Sequence, residues 1–532
     1  MRLTRGTLLF IAIAFIGAFV ITRGLVTRPT YTDAYYHFNG AVQLADGNGF
    51  TDEYLWVYVG NPETLPAPSH LYWMPLISTL ASLGMSITDS TDYAVAQLPF
   101  TLMFAGAILV GYWLGGKLGG TTRHQWQAGL LTLFSGLFVR WWGAIDTFSP
   151  YALIGSLCLV FIGLGINTKS KTRKRLVYWL LAGALAGLAH LTRADGLLFL
   201  IVGWLVLIFP WNIVGIELPK FSRRGRWLIV FTLAYFIIML PWFMRNLDAI
   251  GSLLPTSGTQ AIWFTEYNDL FSYPADVTSN DLLGNGFDLL IESRWTALTN
   301  NLGTFVAVEG LIVLSPLMLL GLWNRRKNPF LLAFGLYALG IHLAMTFVFP
   351  FPGYRGGLFH SVSALVPWWA ILGLVGLDDL INWIAKHRRS WRPQTAKPVF
   401  SSAIVLLAIV LSYQFGLSKI NFTPASGTPS LYRELINTLP ENARIMINDP
   451  AALYYFTGMG GVVTPNASPE TIPQIAERYA VTHVLIEFNE QSTGTSYAIP
   501  EQLFFDLDNP PSFLTEVSLN VSSARLYAII IE

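Results

Sequence analysis

The chain has 532 residues, of which 53% are hydrophobic and 12% charged, and its mean hydropathy is +0.48. A soluble globular protein is nearer a quarter charged, so this composition reads as a polytopic α-helical membrane protein. A net charge of +1 gives a nucleic-acid role no electrostatic support, and a single cysteine, Cys158, excludes intrachain disulfides and a cysteine-based zinc site.

Arg2 and Arg5 precede an apolar run from about Thr7 to Val26. The run is long enough to cross about 30 Å of hydrocarbon at about 1.5 Å per residue. No small-x-small site closes it, so it is read as a first transmembrane helix rather than a cleaved signal. Ten further spans are expected at about 93–116, 125–141, 150–166, 176–192, 197–211, 227–244, 304–323, 330–350, 361–377 and 399–417, which makes about 11 in all. Alternate connections are strongly basic. They carry Lys117 and Arg123; Lys169, Lys171 and Arg173 to Arg175; Lys220, Arg223, Arg224 and Arg226; Arg325 to Lys327; and Lys386, Arg388, Arg389, Arg392 and Lys397. The acids on the same side are Glu217, Asp378 and Asp379. The positive-inside rule then predicts a multi-pass plasma-membrane protein with a cytoplasmic N-terminus and an extracytoplasmic C-terminus. Trp73 to Ile87 is apolar but short, and counting it as a span would put the basic clusters outside, so it is read as a helix on the outer surface.

The expected organisation is a membrane catalytic domain over 1–419, with outer loops at 27–92 and 245–303, followed by a small extracytoplasmic α/β domain over 420–532. In that tail, helices at about Leu431–Ile436 and Glu470–Tyr479 alternate with β-branched runs at Ala443–Ile447, His483–Glu487 and Ala524–Ile531. Sequons stand at Asn421, Asn466 and Asn520.

Ionisable residues at the outer ends of the spans are costly and need a reason. Asp33, in Tyr31-Thr32-Asp33-Ala34-Tyr35-Tyr36-His37, is either a helix-capping or solvated acid or a general base. Tyr36 and His37 would shape a sugar site, or His37 is structural. Asp146 follows Trp141-Trp142-Gly143, with Ser149-Pro150 expected to start the next helix. It would orient an acceptor, or hold a divalent metal (Mg or Mn) together with Asp33; no cofactor is required by the pattern. Arg193 and Asp195, in Thr192-Arg193-Ala194-Asp195-Gly196, form either a tight turn or a phosphate contact, since a guanidinium matches phosphate geometry. Arg355 and His360 flank Gly356-Gly357 and offer a second cation. His70 and Tyr72, in the Pro66–Pro75 stretch, are further substrate-contact candidates, His70 being a phosphate ligand or merely interfacial.

The acid followed by aromatics and His at Asp33–His37 is one element of a recurring order. A Pro/Tyr-rich stretch follows at Ser69–Leu76, then the Thr192–Gly196 turn, a late outer Arg355 and an outer tail. This order resembles the GT-C superfamily of integral-membrane glycosyltransferases, over nearly the whole chain. Within it, the chain looks most like the prokaryotic branch of protein mannosyltransferases and aminoarabinose transferases. It is similar in outline to oligosaccharyltransferase catalytic subunits, but lacks an Asp-x-Asp in the second outer loop and a Trp-Trp-Asp-x-Gly in the tail. The resemblance implies an inverting transfer from a polyprenyl-phosphate-linked sugar to an acceptor that is a protein, a lipid or a polysaccharide. Asp33 would deprotonate the acceptor, and Arg193 and Arg355 would hold the leaving phosphate. The alternatives are an oligosaccharyltransferase or glycan ligase, and a non-enzymatic flippase for lipid-linked sugars; against the last stand the absence of a repeat and the one-sided clustering of ionisable residues.

Overall fold

The computed structural model describes residues 4–166, 172–216, 218–255, 257–275, 277–284, 286–388, 390–425, 427–487, 503 and 505–531. Arg2, Lys169, Lys171, Glu217 and Arg389 lie outside the described residues. The chain divides into two compact units, one made of Met1–Val26, Gln97–Arg245 and Glu292–Phe422, the other of Thr27–Ala96, Asn246–Ile291 and Thr423–Glu532.

The first unit is helical. Among the described residues, eight helices of the chain are long and apolar enough to cross a membrane, including Arg5–Leu25, Phe148–Gly165, Arg173–Thr192 and Pro393–Phe415. Three of the eleven expected spans fall short: that expected at 197–211 is the 12-residue helix Leu197–Ile208, and two are interrupted. The helix Thr122–Leu133 stops at Phe134 and resumes as a 3-10 turn, Gly136–Arg140, so the span expected at 125–141 is two pieces. The span expected at 304–323 is broken after the π-turn Phe305–Glu309, where Leu311 and Ile312 take φ of 45° and 69°. Interrupted backbone at membrane depth persists where protein buries it. Here Leu311 is 6% exposed and Ser315 4%, while the Ile312 side chain between them is 56% exposed and its backbone N–H is satisfied by the Val306 carbonyl at 2.9 Å.

Small residues let helices approach closely without a hydrophobic driving force. A Cβ on Gly376 would collide with the Leu317 carbonyl oxygen, which fixes the crossing of Ser315–Asn324 over Val366–His387. The acids Asp378 and Asp379 are held by the basic residues of the same end. Asp378 lies 2.5 Å from Arg123, 3.2 Å from His124 and 3.9 Å from Lys397, and Asp379 lies 2.6 Å from Arg325.

The second unit contains the helix Thr32–Ala45 and the short apolar helix Leu76–Thr88, together with β1 (Thr51–Asp52), β2 (Tyr54–Leu55), β3 (Ala67–Pro68), β4 (Ile445–Ile447), β5 (Gly461–Val463), β6 (His483–Glu487), β7 (Leu514–Val517) and β8 (Ala524–Ile529). β1 pairs with β3. The larger sheet has the order β2-β5-β4-β6-β8-β7, parallel from β2 to β6 and antiparallel at β8 and β7. Helices Pro450–Thr457 and Ile472–Tyr479 connect its parallel strands. β4 and β5 are buried throughout, as strands of a parallel sheet covered on both faces must be. The tail elements expected from sequence are present within a few residues, but the sheet is not made by the tail alone. Tyr54 and Leu55 of the first loop add its edge strand, paired with Gly461 and Val462. Tyr35, Tyr36 and Tyr54 share one apolar cluster with Leu431, Tyr432, Ile445 and Ile447. Residues 27–96 and the tail therefore form one body, and a boundary drawn at 419/420 separates parts that pack together.

Two carboxylates of this body are shifted by their surroundings, the fully buried Asp449 and the partly buried Glu487. Burial raises Asp449 from an ordinary 3.8 to about 6, against the lowering effect of hydrogen bonds from Ala452, Thr32 and Ala451. Burial, and then the Asp449 charge, raises Glu487 from 4.5 to about 7. Both are raised in the folded state, so folding takes up protons. Their stabilisation is complete below about pH 4 and is lost as pH rises through about 6 to 7. The melting temperature is expected to fall over that interval, and the slope to flatten in an Asp449→Asn/Glu487→Gln double variant. A melting temperature independent of pH in the parent protein would contradict it.

Candidate active site

Within the first unit, four of the sequence-predicted residues meet. The loop Trp141–Thr147 is pressed onto the end of the first helix. A Cβ on Gly143 would stand 2.7 Å from the backbone of Thr22, so glycine is required there. The buried Gln97 amide donates to the carbonyls of Thr22, Val26 and Gly143 at 3.0, 2.8 and 2.7 Å, satisfying acceptors that the helix end leaves open. The next helix starts at Phe148, so Ser149 and Pro150 lie inside its first turn rather than at its cap.

Asp146 is 1% exposed, and one of its oxygens accepts from the Thr147 amide at 2.5 Å. Its other oxygen is 3.6 Å from His360 Nδ1. That nitrogen is also 2.9 Å from the Thr147 hydroxyl, and the ring stacks on Phe148 at 4.2 Å. The predicted acid and histidine, 214 positions apart in sequence, thus form one carboxylate–imidazole pair.

The turn Ala194–Gly196 holds Arg193 and Asp195 face to face. Arg193 Nε donates to Asp195 at 3.1 Å and Nη2 at 3.2 Å; Nη2 also donates to the Gly357 carbonyl at 3.2 Å. Asp195 accepts further from Tyr151 at 3.2 Å and from Ser361, and Tyr337 donates to the Tyr151 hydroxyl at 3.0 Å. The Arg–Asp turn and the phosphate role are compatible. Nε and Nη2 are committed, which fixes the guanidinium plane, while Nη1 has no partner among the described residues. Asp146 adds a favourable charge at Arg193. Arg355 is exposed, in a π-turn in which Gly356 has φ 127°.

In the second unit, Asp33 is the second residue of the helix Thr32–Ala45, where an acid complements the helix dipole, and it is half-buried. The neighbours predicted as sugar or phosphate contacts are deeper. Tyr36 is 5% exposed; it donates to Asp52 at 2.7 Å and accepts from the His70 amide at 2.6 Å. His70 is 1% exposed, and its ring nitrogens contact Ser69 at 2.7 Å and Ser78 at 3.0 Å. His37 is fully buried. Burial, and then Asp52, raises the Tyr36 phenol well above its ordinary value. Tyr36 and His37 are buried residues of the helix itself, and His70 is the loop residue packed against them. Tyr72 is partly exposed, packed against Trp56 and Trp73.

Sequence reasoning passed over Glu309. Its side chain is fully buried and accepts from Trp369 Nε1 at 2.7 Å, and it lies 2.9 Å from His342 Nε2. His342 Nδ1 faces the Ala338 carbonyl at 2.8 Å and so must carry a proton, which leaves one proton shared between Nε2 and the carboxylate. The signal was a lone acid inside an apolar run. Glu309→Leu removes both contacts, leaving Trp369 Nε1 and His342 Nε2 without this partner, and is expected to cost about 1–3 kcal/mol. Thermal unfolding in detergent measures this, and an unchanged midpoint would contradict the pairing.

Comparison with solved structures gives the class of fold. The oligosaccharyltransferase of Archaeoglobus fulgidus, in complex with Zn and sulfate, superposes with a TM-score of 0.61 at 15% identity over 98% of this chain and 73% of its own. The same organism's oligosaccharyltransferase AglB, in complex with an inhibitory peptide and a dolichol-phosphate, gives 0.60 at 14% identity over 91% and 69%. ArnT from Cupriavidus metallidurans, bound to undecaprenyl phosphate, gives 0.57 at 14% identity over 98% and 97%. No protein-family model and no curated sequence matches the chain. The chain carries the fold of the integral-membrane GT-C glycosyltransferases.

Proposed function

We propose that this protein is a membrane glycosyltransferase. It takes a sugar from a polyprenyl-phosphate donor at the extracytoplasmic face of the plasma membrane and inverts the anomeric centre. Asp33 removes the proton of the acceptor hydroxyl or amine as that atom attacks the anomeric carbon. The bond from that carbon to the phosphate oxygen breaks, and the phosphate leaves with the electron pair. Arg193, aided by Arg355, stabilises the charge that develops there. Asp146, paired with His360, orients the acceptor.

The observation that supports this reading best is the fixed Arg193 guanidinium beside the Asp146–His360 pair, in a fold similar to two proteins solved with lipid phosphates. Asp146 and His360 offer a divalent cation one oxygen and one nitrogen ligand, a set that suits Mn better than Mg. The lack of an Asp-x-Asp in the second outer loop and of a Trp-Trp-Asp-x-Gly in the tail favours transfer of a single sugar over a sequon-directed oligosaccharyl transfer.

The test uses purified protein in nanodiscs with radiolabelled polyprenyl-phosphate mannose, glucose and aminoarabinose, and native membranes as acceptor. Label moving to acceptor with equimolar release of polyprenyl phosphate is the expected result, and it should survive EDTA. Loss under EDTA that Mn restores would make the Asp146–His360 pair a metal site. Movement of donor across a liposome bilayer with no bond broken would instead identify a flippase.

A further inference from the structure

The helix that carries Asp33 is anchored through one face. Its N-cap residue, Tyr31, makes no side-chain cap bond. The next residue, Thr32, is 2% exposed and donates its hydroxyl to Asp449 at 2.8 Å. Asp449 is fully buried, and its other oxygen accepts from the Ala452 amide at 3.0 Å, so the same carboxylate caps the helix Pro450–Thr457.

Further along the helix, Asn39 donates to the Ala451 carbonyl at 2.9 Å and Gln43 to the Tyr454 hydroxyl at 2.8 Å. Tyr35 packs on Tyr455 with ring centroids 5.1 Å apart. Positions 32, 35, 39 and 43 fall at intervals of three and four, which is one face of an α-helix. All four reach the short segment Asp449–Tyr455. Of these four contacts the Thr32 bond is the nearest to Asp33 in sequence, one residue away, and a displacement of about 1 Å in a reacting group can cost about 100-fold in rate.

We infer that Thr32 and Asp449 are positioning residues for the transfer reaction: their buried hydrogen bond sets where the Asp33 carboxylate stands. The inference rests on Asp33 being the base.

Thr32→Val keeps shape and loses the hydroxyl. In the nanodisc transfer assay it is expected to lower kcat about 10- to 100-fold, leaving KM for the lipid donor within about twofold and lowering the melting temperature by about a few degrees, since one Asp449 oxygen loses its donor. Thr32→Ser restores the hydroxyl and should recover kcat. Gln43→Leu cuts the same interface about 16 Å further along the axis and should leave kcat at the parent level. If Thr32→Val does not fold, Thr32→Ala, which removes the same hydroxyl, carries the same comparison.

Parent-level kcat in Thr32→Val, or an equal loss in Gln43→Leu, overturns the positioning role. Asp33→Asn in the same assay separates the two claims. If it is inactive while Thr32→Val is normal, the positioning inference fails and the base assignment stands. If it is active, the base assignment fails and the inference with it.

Discussion

Replacing Asp33 by Asn is expected to lower sugar transfer by about 100- to 10,000-fold, the range a positioned general base contributes. Asn is nearly isosteric and can stay at the second position of the helix Thr32–Ala45, so the fold and lipid binding should be kept. What is lost is the capacity to accept a proton. Asp33→Glu keeps the carboxylate but extends it by a methylene, and is expected to retain a small part of the rate. Initial rates with radiolabelled donor, beside a melting curve for each variant, read both effects. Full activity in a well-folded Asp33→Asn protein would remove the central residue of the proposed mechanism.

The second large effect is expected at Asp195. Its two oxygens receive Arg193, Tyr151 and Ser361, and both members of the ion pair are mostly buried, with side chains 17% and 13% exposed. Asp195→Ala strands a guanidinium and the Tyr151 hydroxyl in a mostly buried site, while Ser361 keeps the Gly357 carbonyl at 2.8 Å. Breaking a buried pair on one side costs about 3–5 kcal/mol. Asp195→Asn keeps an acceptor oxygen and should cost much less. Arg193→Lys keeps the charge but loses the planar fork, so it should fold and yet raise KM for the lipid-phosphate donor about tenfold. Thermal unfolding and donor titration separate the two. An Asp195→Ala protein as stable as the parent would mean the network carries no weight.

The membrane character was legible because runs of about twenty apolar residues leave few alternatives. The breaks inside two runs were not. Leu133-Phe134-Ser135-Gly136-Leu137-Phe138 is apolar on both sides of its break, and Gly310-Leu311-Ile312 is apolar too, with only Ser315-Pro316 marking where the helix resumes. Hydropathy measures the cost of burial and is blind to backbone path.

The candidate site divided along the same line. Arg193, Asp195, Asp146 and His360 stood out because charged groups at span ends need partners, and within the first unit they are one another's neighbours. Tyr36, His37 and His70 carried an equally strong signal, yet aromatic and imidazole rings serve packing as well as binding. In the structure they lie in the core or against it. Thr32 and Asp449 had no signal at all, since their bond joins residues 417 apart in sequence. The edge strand Tyr54–Leu55 is two residues long and finds its partner at Gly461, beyond the reach of any local pattern.

The measurement that bears most directly on the central claim is an experimental structure of this protein with bound polyprenyl phosphate. The phosphate is expected within hydrogen-bonding distance of Arg193 Nη1, with the Asp33 carboxylate within a sugar's width of it. A phosphate bound away from Arg193, or an Asp33 carboxylate remote from it, would contradict the account.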